Sequence, residues 1–115
     1  MSLLLSPYEH MYIHLKNKVV MPPMCMYKAD TNGNMTDFHL THYTARALGG
    51  VGLIIVEATA VEPRGRISDN DLGLWDDTHI EAHKTLVSSC HAYGAKMAVQ
   101  LAHAGRKSIC KETTP

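Results

Sequence analysis

Apolar and polar positions fall in blocks along this chain, and the period changes from block to block. Lys18–Tyr27 is a short apolar run broken by Pro22 and Pro23, as a buried strand running into a loop would be. Asn32-Gly33-Asn34 reads as a turn. Thr36 or Asp37 caps a helix in which Leu40, Tyr43 and Ala47 recur at helical spacing, and Gly49-Gly50 ends it. Val51–Ala58 is then almost continuously apolar and rich in β-branched residues, the pattern of a strand covered on both faces. Val61–Trp75 mixes Pro63, Gly65 and Gly73 with charges and reads as a long loop. Thr78-His-Ile-Glu81 matches a capping box and opens a helix to about Tyr93, with Ile80, His83, Val87 and Cys90 on one face. Gly94 stops that helix, and Lys96–Leu101 makes the third strand.

Strand, helix, strand, helix, strand at this spacing predicts an α/β fold of right-handed parallel (β/α) units. It suits an open doubly wound sheet or part of a (β/α)8 barrel, and neither βα turn carries the G-x-G-x-x-G of the dinucleotide fold. Parallel α/β folds gather ligands at the carboxyl ends of their strands. Here those ends are Pro22–Tyr27, Glu57–Ala60 and Gln100–Arg106, each breaking the apolar pattern with residues that hydrogen-bond or pack on a flat ring.

Composition narrows the class. The chain has 115 residues, 45% hydrophobic and 19% charged, with 11 basic and 11 acidic residues in balance. Such neutrality argues against nucleic acid or an acidic membrane as partner. The start shows no basic leader, and no stretch approaches a membrane span. Three widely spaced cysteines, Cys25, Cys90 and Cys110, point to a reduced, cytoplasmic setting.

The strand-end segments carry a family resemblance. Leu15-Lys-Asn-Lys-Val-Val-Met-Pro-Pro-Met-Cys-Met-Tyr27, Phe38-His-x-x-His-Tyr43 and Gly52-Leu-Ile-Ile-Val-Glu-Ala-Thr-Ala-Val61 resemble successive pieces of the old yellow enzymes. Arg64-Gly-Arg-Ile-Ser68, Asp71-Leu-Gly-Leu-Trp75 and Gln100-Leu-Ala-His-Ala-Gly-Arg106 extend the match in the same order. The nearest likeness is to the bacterial NADPH dehydrogenases that keep a cysteine below the flavin. The resemblance implies the N-terminal part of a TIM (β/α)8 barrel, about three of eight strands, with 1–115 a partial FMN-oxidoreductase domain and 1–17 a lead-in. It implies FMN as cofactor and NADPH as hydride donor, in the reduction of activated C=C bonds of enones and enals. It places Pro22, Pro23, Met24 and Cys25 along the flavin ring, Ala58 against it, and Gln100 on its pyrimidine edge. Tyr27 becomes the catalytic and substrate-binding residue, polarising the enone carbonyl.

Two positions depart from that pattern. Pro22 stands where the close relatives carry a small hydroxyl residue, and Lys18 replaces an arginine, keeping charge without the bidentate fork. The family's later histidine pair, its basic residue beside the flavin and its phosphate loops have no counterpart in these residues. The chain alone is therefore expected to be incomplete as a catalyst. It is expected to need a homo-oligomer or a complementary barrel fragment, because open strand edges and apolar faces invite partners.

Other readings compete at individual residues. Against the functional reading, which is the stronger one, Cys25 also reads as a small buried hydrophobe, Tyr27 as a core aromatic, and Gln100 as a loop cap. Arg106 is expected to pair with Asp69 or Asp71, and Arg64 and Arg66 to be solvated loop charges. His79 and His83 share a helix face, but Glu81 points elsewhere and Cys90 lies about 10 Å further along the axis, so no metal site is expected. Met21, Met24 and Met26 read as packing rather than a copper site. At the level of the whole chain, the alternatives are a non-catalytic remnant that binds FMN or a complementary chain, another class of FMN barrel, and a small metal-binding domain.

Overall fold

In the computed structural model, the strand Leu53–Ala60 is paired along both edges, as its unbroken apolar run requires. The structure describes residues 2–110, so both ends of the expected 1–115 domain lie outside it. Chain order runs through β1 (Tyr8–His10), β2 (Ile13–Leu15), β3 (Val20–Met21), α1 (Asp37–Leu48) and β4 (Leu53–Ala60) to β5 (Leu72–Gly73), α2 (Ile80–His91) and β6 (Lys96–Ala102). β6 runs parallel along one edge of β4, and β3 runs parallel to the beginning of the other. The three strands read from the sequence are thus adjacent and parallel.

The two prolines divide that second edge. Pro22 and Pro23 have no N–H to give a ladder, so β3 stops at Met21. Further along, Thr59 and Ala60 instead pair with Leu72 and Gly73 of β5. The sequence places Leu72 and Gly73 inside a loop; a two-residue strand supported by a neighbour's free edge leaves no alternating pattern to read.

One face of the sheet is dry. Ile54 and Val56 of β4 meet Tyr43 and Ala47 of α1 and Leu86 and Cys90 of α2, with Met21 and Leu72 completing the cluster. α1 has Thr36 as its N-cap and buries His39, Tyr43 and Ala47 at helical spacing, close to the expected stripe. α2 differs from expectation in two ways. A 3-10 turn over Asp77–His79 leads into it, and Asp76, not Thr78, caps that turn, accepting the Thr78 N–H at 2.9 Å. Its buried line runs through His79, Leu86 and Cys90, while Ile80 is exposed. The 3-10 turn winds tighter than an α-helix, and this rotates the following stripe away from Ile80. Gly94, at φ 85°, turns the chain out of α2 into β6.

The other face and the edge at β6 are open. Lys96, Ala98, Val99, Gln100 and Leu101 of β6, which alternate between the two faces, are exposed, and among the described residues no strand pairs with the far edge of β6. The expected lead-in is a hairpin: β1 and β2 pair antiparallel around Met11, whose φ is 49°. Lys18 Nζ anchors the preceding turn by donating to the carbonyls of Leu3 at 2.8 Å and Ser6 at 3.1 Å.

Candidate functional site

The ladder between β4 and β6 slips at one place. Val56 is level with Val99, and Thr59 is level with Leu101, so Glu57 and Ala58 together face the single residue Gln100. Such a two-against-one bulge bends the strand and re-aims its side chains. It falls at the carboxyl end of the sheet, where the sequence pattern locates a site. Ala58 is nearly buried, and Gln100 beside it is exposed.

Beyond β3 the chain crosses the same rim. Pro22 and Met24 are exposed, and Pro23 and Cys25 are half-buried. Tyr27 is 47% exposed and has φ 55°, a left-handed conformation that a bulky side chain rarely adopts. The Ala58 backbone and the Tyr27 hydroxyl both lie beside the Cys25 sulfur. Burial nevertheless dominates and, with the nearby Asp71 and Glu57 carboxylates, holds the Cys25 thiol above its ordinary range. The Tyr27 phenol is also raised, chiefly by Cys25, so it remains a protonated donor at neutral pH. Cys25, Tyr27, Ala58 and Gln100 are thus gathered on one rim.

Beneath this rim lies a buried polar cluster. Glu57 is fully buried and accepts the Met26 N–H at 3.2 Å through Oε2 and the Tyr43 hydroxyl at 3.0 Å through Oε1. The Tyr43 hydroxyl in turn accepts the Glu57 N–H at 3.0 Å. His39 Nδ1 accepts the Thr36 N–H at 3.0 Å, which leaves the ring proton on Nε2. That Nε2 is buried, has no hydrogen-bond partner, and lies 3.7 Å from Glu57 Oε1. Burial raises the Glu57 carboxyl and lowers His39, so the imidazole is neutral. Sequence reasoning passed over this cluster. Its signal was Glu57, the one ionisable residue inside the apolar run Val51–Ala60, since a buried carboxylate must be paired or hydrogen-bonded.

The loop after β4 is also more ordered than expected. Arg66 is buried: Nε donates to Pro63 O at 2.9 Å, and Nη1 to Thr31 O at 2.8 Å and Asp69 O at 3.2 Å. Its guanidinium lies 5.3 Å from the Trp75 ring centroid. It is a loop-organising residue, because its planar fork fits several carbonyls at once, rather than a solvated charge. Arg64 is exposed and pairs with Glu62 at 3.0 Å. Asp71 receives the Ile67 N–H at 2.6 Å and the Ser68 hydroxyl at 3.1 Å. His103 Nδ1 accepts the Gly105 N–H at 3.0 Å, so its Nε2–H points to Glu62. This ties the end of β6 to the loop after β4.

The i,i+4 histidines are engaged with backbone: His79 Nε2 with Asn32 O at 2.9 Å and His83 Nε2 with Gly73 O at 3.4 Å. Among the described residues no group of three or more His, Cys, Asp or Glu is placed to hold a metal ion. No helix among them is long and apolar enough to cross a membrane.

A family model described as the NADH:flavin oxidoreductase / NADH oxidase family matches residues 4–115. The chain belongs to this family. The NADPH dehydrogenase of Clostridium acetobutylicum is 60% identical over 93 residues, covering 81% of this chain and 27% of that protein. The NADPH dehydrogenase of Bacillus licheniformis is 56% identical over 111 residues, covering 96% and 33% respectively. Among solved structures, the Old Yellow Enzyme from a Pichia species superposes with a TM-score of 0.86 at 32% identity, over 92% of this chain and 28% of that one. Morphinone reductase in complex with tetrahydroNAD gives 0.84 at 31%, over 94% and 29%.

The chain thus spans about a third or less of the length of these flavin oxidoreductases. Its parallel sheet and two helices correspond to the N-terminal part of the TIM barrel of the old yellow enzymes. The exposed face and free edge of β6 lie where such a barrel continues.

Proposed function

We propose that this chain supplies the flavin-facing wall of an FMN-dependent NADPH dehydrogenase that reduces activated C=C bonds of enones and enals. The observation that carries the reading is the bulge that sets Ala58 against Gln100 on the rim crossed by Cys25 and Tyr27. These residues suit a flat conjugated ring. Pro22, Pro23, Met24 and Cys25 offer an apolar, polarizable surface, and the methyl of Ala58 permits close approach. The Gln100 amide both donates and accepts at the ring's polar edge.

FMN, when bound, carries the hydride from NADPH to the β-carbon of the alkene. The protein's part is orientation and polarity. The Tyr27 hydroxyl, held protonated beside Cys25, would donate to a substrate carbonyl oxygen. The Cys25 sulfur would lie against the ring and tune it. The reading is of one partial domain over 1–115, acting in the cytoplasm on a small molecule.

The test is titration of the purified chain with FMN, followed by flavin absorbance near ~450 nm and by NADPH oxidation with an α,β-unsaturated ketone. Stoichiometric flavin with enone-dependent oxidation supports the reading in full. Absence of flavin binding at about 100 μM FMN, a weak-affinity ceiling, would reject it.

A second reading is favoured by the exposed Val99 and Leu101 and the unpaired edge of β6. In it the chain binds FMN or a complementary barrel fragment, or a second copy of itself, without turning over. Flavin binding with no NADPH oxidation until a complementary fragment is added distinguishes it.

A further inference from the structure

We propose that Glu57 is a positioning residue for Cys25, acting through the Met26 backbone from beneath the rim. This goes beyond the flavin reading and rests on it only for what Cys25 is turned towards.

Three observations carry it. The segment from Pro22 to Tyr27 has no strand ladder of its own, because its prolines cannot donate and β3 ends at Met21. Tyr27 is left-handed at φ 55°, a strained conformation that persists only where surrounding structure enforces it. The Met26 N–H, between Cys25 and Tyr27, donates to Glu57 Oε2 at 3.2 Å. That carboxylate is held from its other oxygen by the Tyr43 hydroxyl at 3.0 Å. The unpartnered His39 Nε2–H faces the same Oε1 from 3.7 Å. A buried carboxylate surrounded by three donors is otherwise an expensive feature in a dry core. Here it reaches the backbone of the one segment that must keep an unusual shape. The bulge that opposes Glu57 and Ala58 to Gln100 serves both ends: Glu57 is buried beneath the rim, while the Ala58 backbone lies beside Cys25.

The charged and titratable groups that face Cys25 are Asp71, Glu57 and Tyr27, and those facing Glu57 are Tyr43, His39 and Asp71. Removing the Glu57 charge therefore lowers the pH at which the Cys25 thiol ionises, while shortening the side chain frees the segment and keeps the charge.

The test reads Cys25 directly. The 115-residue chain is reacted with a maleimide across about pH 7 to 11, spanning the thiol range, and modification is assigned to each cysteine by mass spectrometry. Cys90 and Cys110 are buried and serve as internal controls for global opening. Glu57→Gln should move the midpoint for Cys25 down by about half a pH unit, a single screened charge's worth. Glu57→Asp should leave the midpoint in place and raise the Cys25 rate about fivefold, the effect of a loosened segment. Should Glu57→Gln fail to fold, Tyr43→Phe carries the test, with a faster Cys25 reaction expected. Unchanged Cys25 rate and midpoint in the folded variants would overturn the proposal. So would acceleration of all three cysteines together, which marks a merely structural role. Repeating the wild-type reaction with FMN tests the flavin reading separately: lack of protection defeats that reading and leaves the positioning role standing.

Discussion

Ala58 of β4 lies across from Gln100 of β6 where the register between the two strands slips by one residue. A small side chain and an amide are thereby placed side by side at the carboxyl end of a parallel sheet. Neither strand alone produces this pairing, and it leads directly to a test. Ala58→Leu puts three further carbons where the proposed ring approaches, and overfilling a fitted surface costs about 1–3 kcal/mol. FMN affinity should fall about tenfold or more. Isothermal titration of both proteins measures it, and equal affinity would show that nothing flat rests on Ala58.

Acid should destabilise the fold before it reaches the ordinary carboxylate range. Burial holds His39, His42 and His83 below the usual imidazole value. A group with a depressed folded pKa lends stability above its unfolded value, and that stability disappears as pH falls through the folded one. The window therefore opens at about pH 6.5 and extends downward. Glu57 acts in the opposite sense: its raised carboxyl favours the fold at low pH and loses that contribution as pH rises through its folded value. Three imidazoles outweigh one carboxyl, so the urea midpoint should be lower at about pH 5.5 than at about pH 7.5. A midpoint that holds steady or rises on acidification would contradict this.

Arg66→Lys is a severe change despite its conserved charge. The guanidinium serves three carbonyls and stacks over Trp75, and an ammonium cannot span that arrangement. Leaving buried carbonyls unpaired should cost about 2 kcal/mol. Trp75 is the only tryptophan of the chain, so its fluorescence reports both the local change and the unfolding curve. A variant with wild-type emission and stability would show the loop to be held by other means.

Gly73→Ala tests the short strand β5. A Cβ at Gly73 would overlap the Trp75 ring, and one at Gly33 would meet the same ring. The indole must move, and overpacking of this kind costs about 1–3 kcal/mol. The expected signs are a red-shifted Trp75 emission and a lower melting temperature. An unshifted spectrum would mean that the ring has room to spare.

Much of this was legible in the residues themselves. The β-branched run ending at Ala58 announced a strand covered on both faces, and Thr36, Leu40, Tyr43 and Ala47 announced α1 nearly to its ends. The end of β3 was legible because Pro22 and Pro23 break an apolar run that a simple strand would continue. Arg66 misled because exposure of a loop charge is a statistical expectation, and here carbonyls, one from a residue distant in sequence, surround the guanidinium. Thr78-His-Ile-Glu81 misled because Asp76, two residues earlier, takes the cap through a 3-10 turn that a spacing rule for α-helices does not register.

The order of strands and helices and their parallel character follow from local pattern, because burial on two faces and helical periodicity are written in neighbouring residues. The bulge opposite Gln100, the takeover of β4's second edge by β5, and the Glu57–Tyr43–His39 cluster were decided only when distant segments met. Each depends on which N–H and C=O groups remained unpaired after the main ladder formed, and a buried polar group takes whatever partner the packed chain brings within reach.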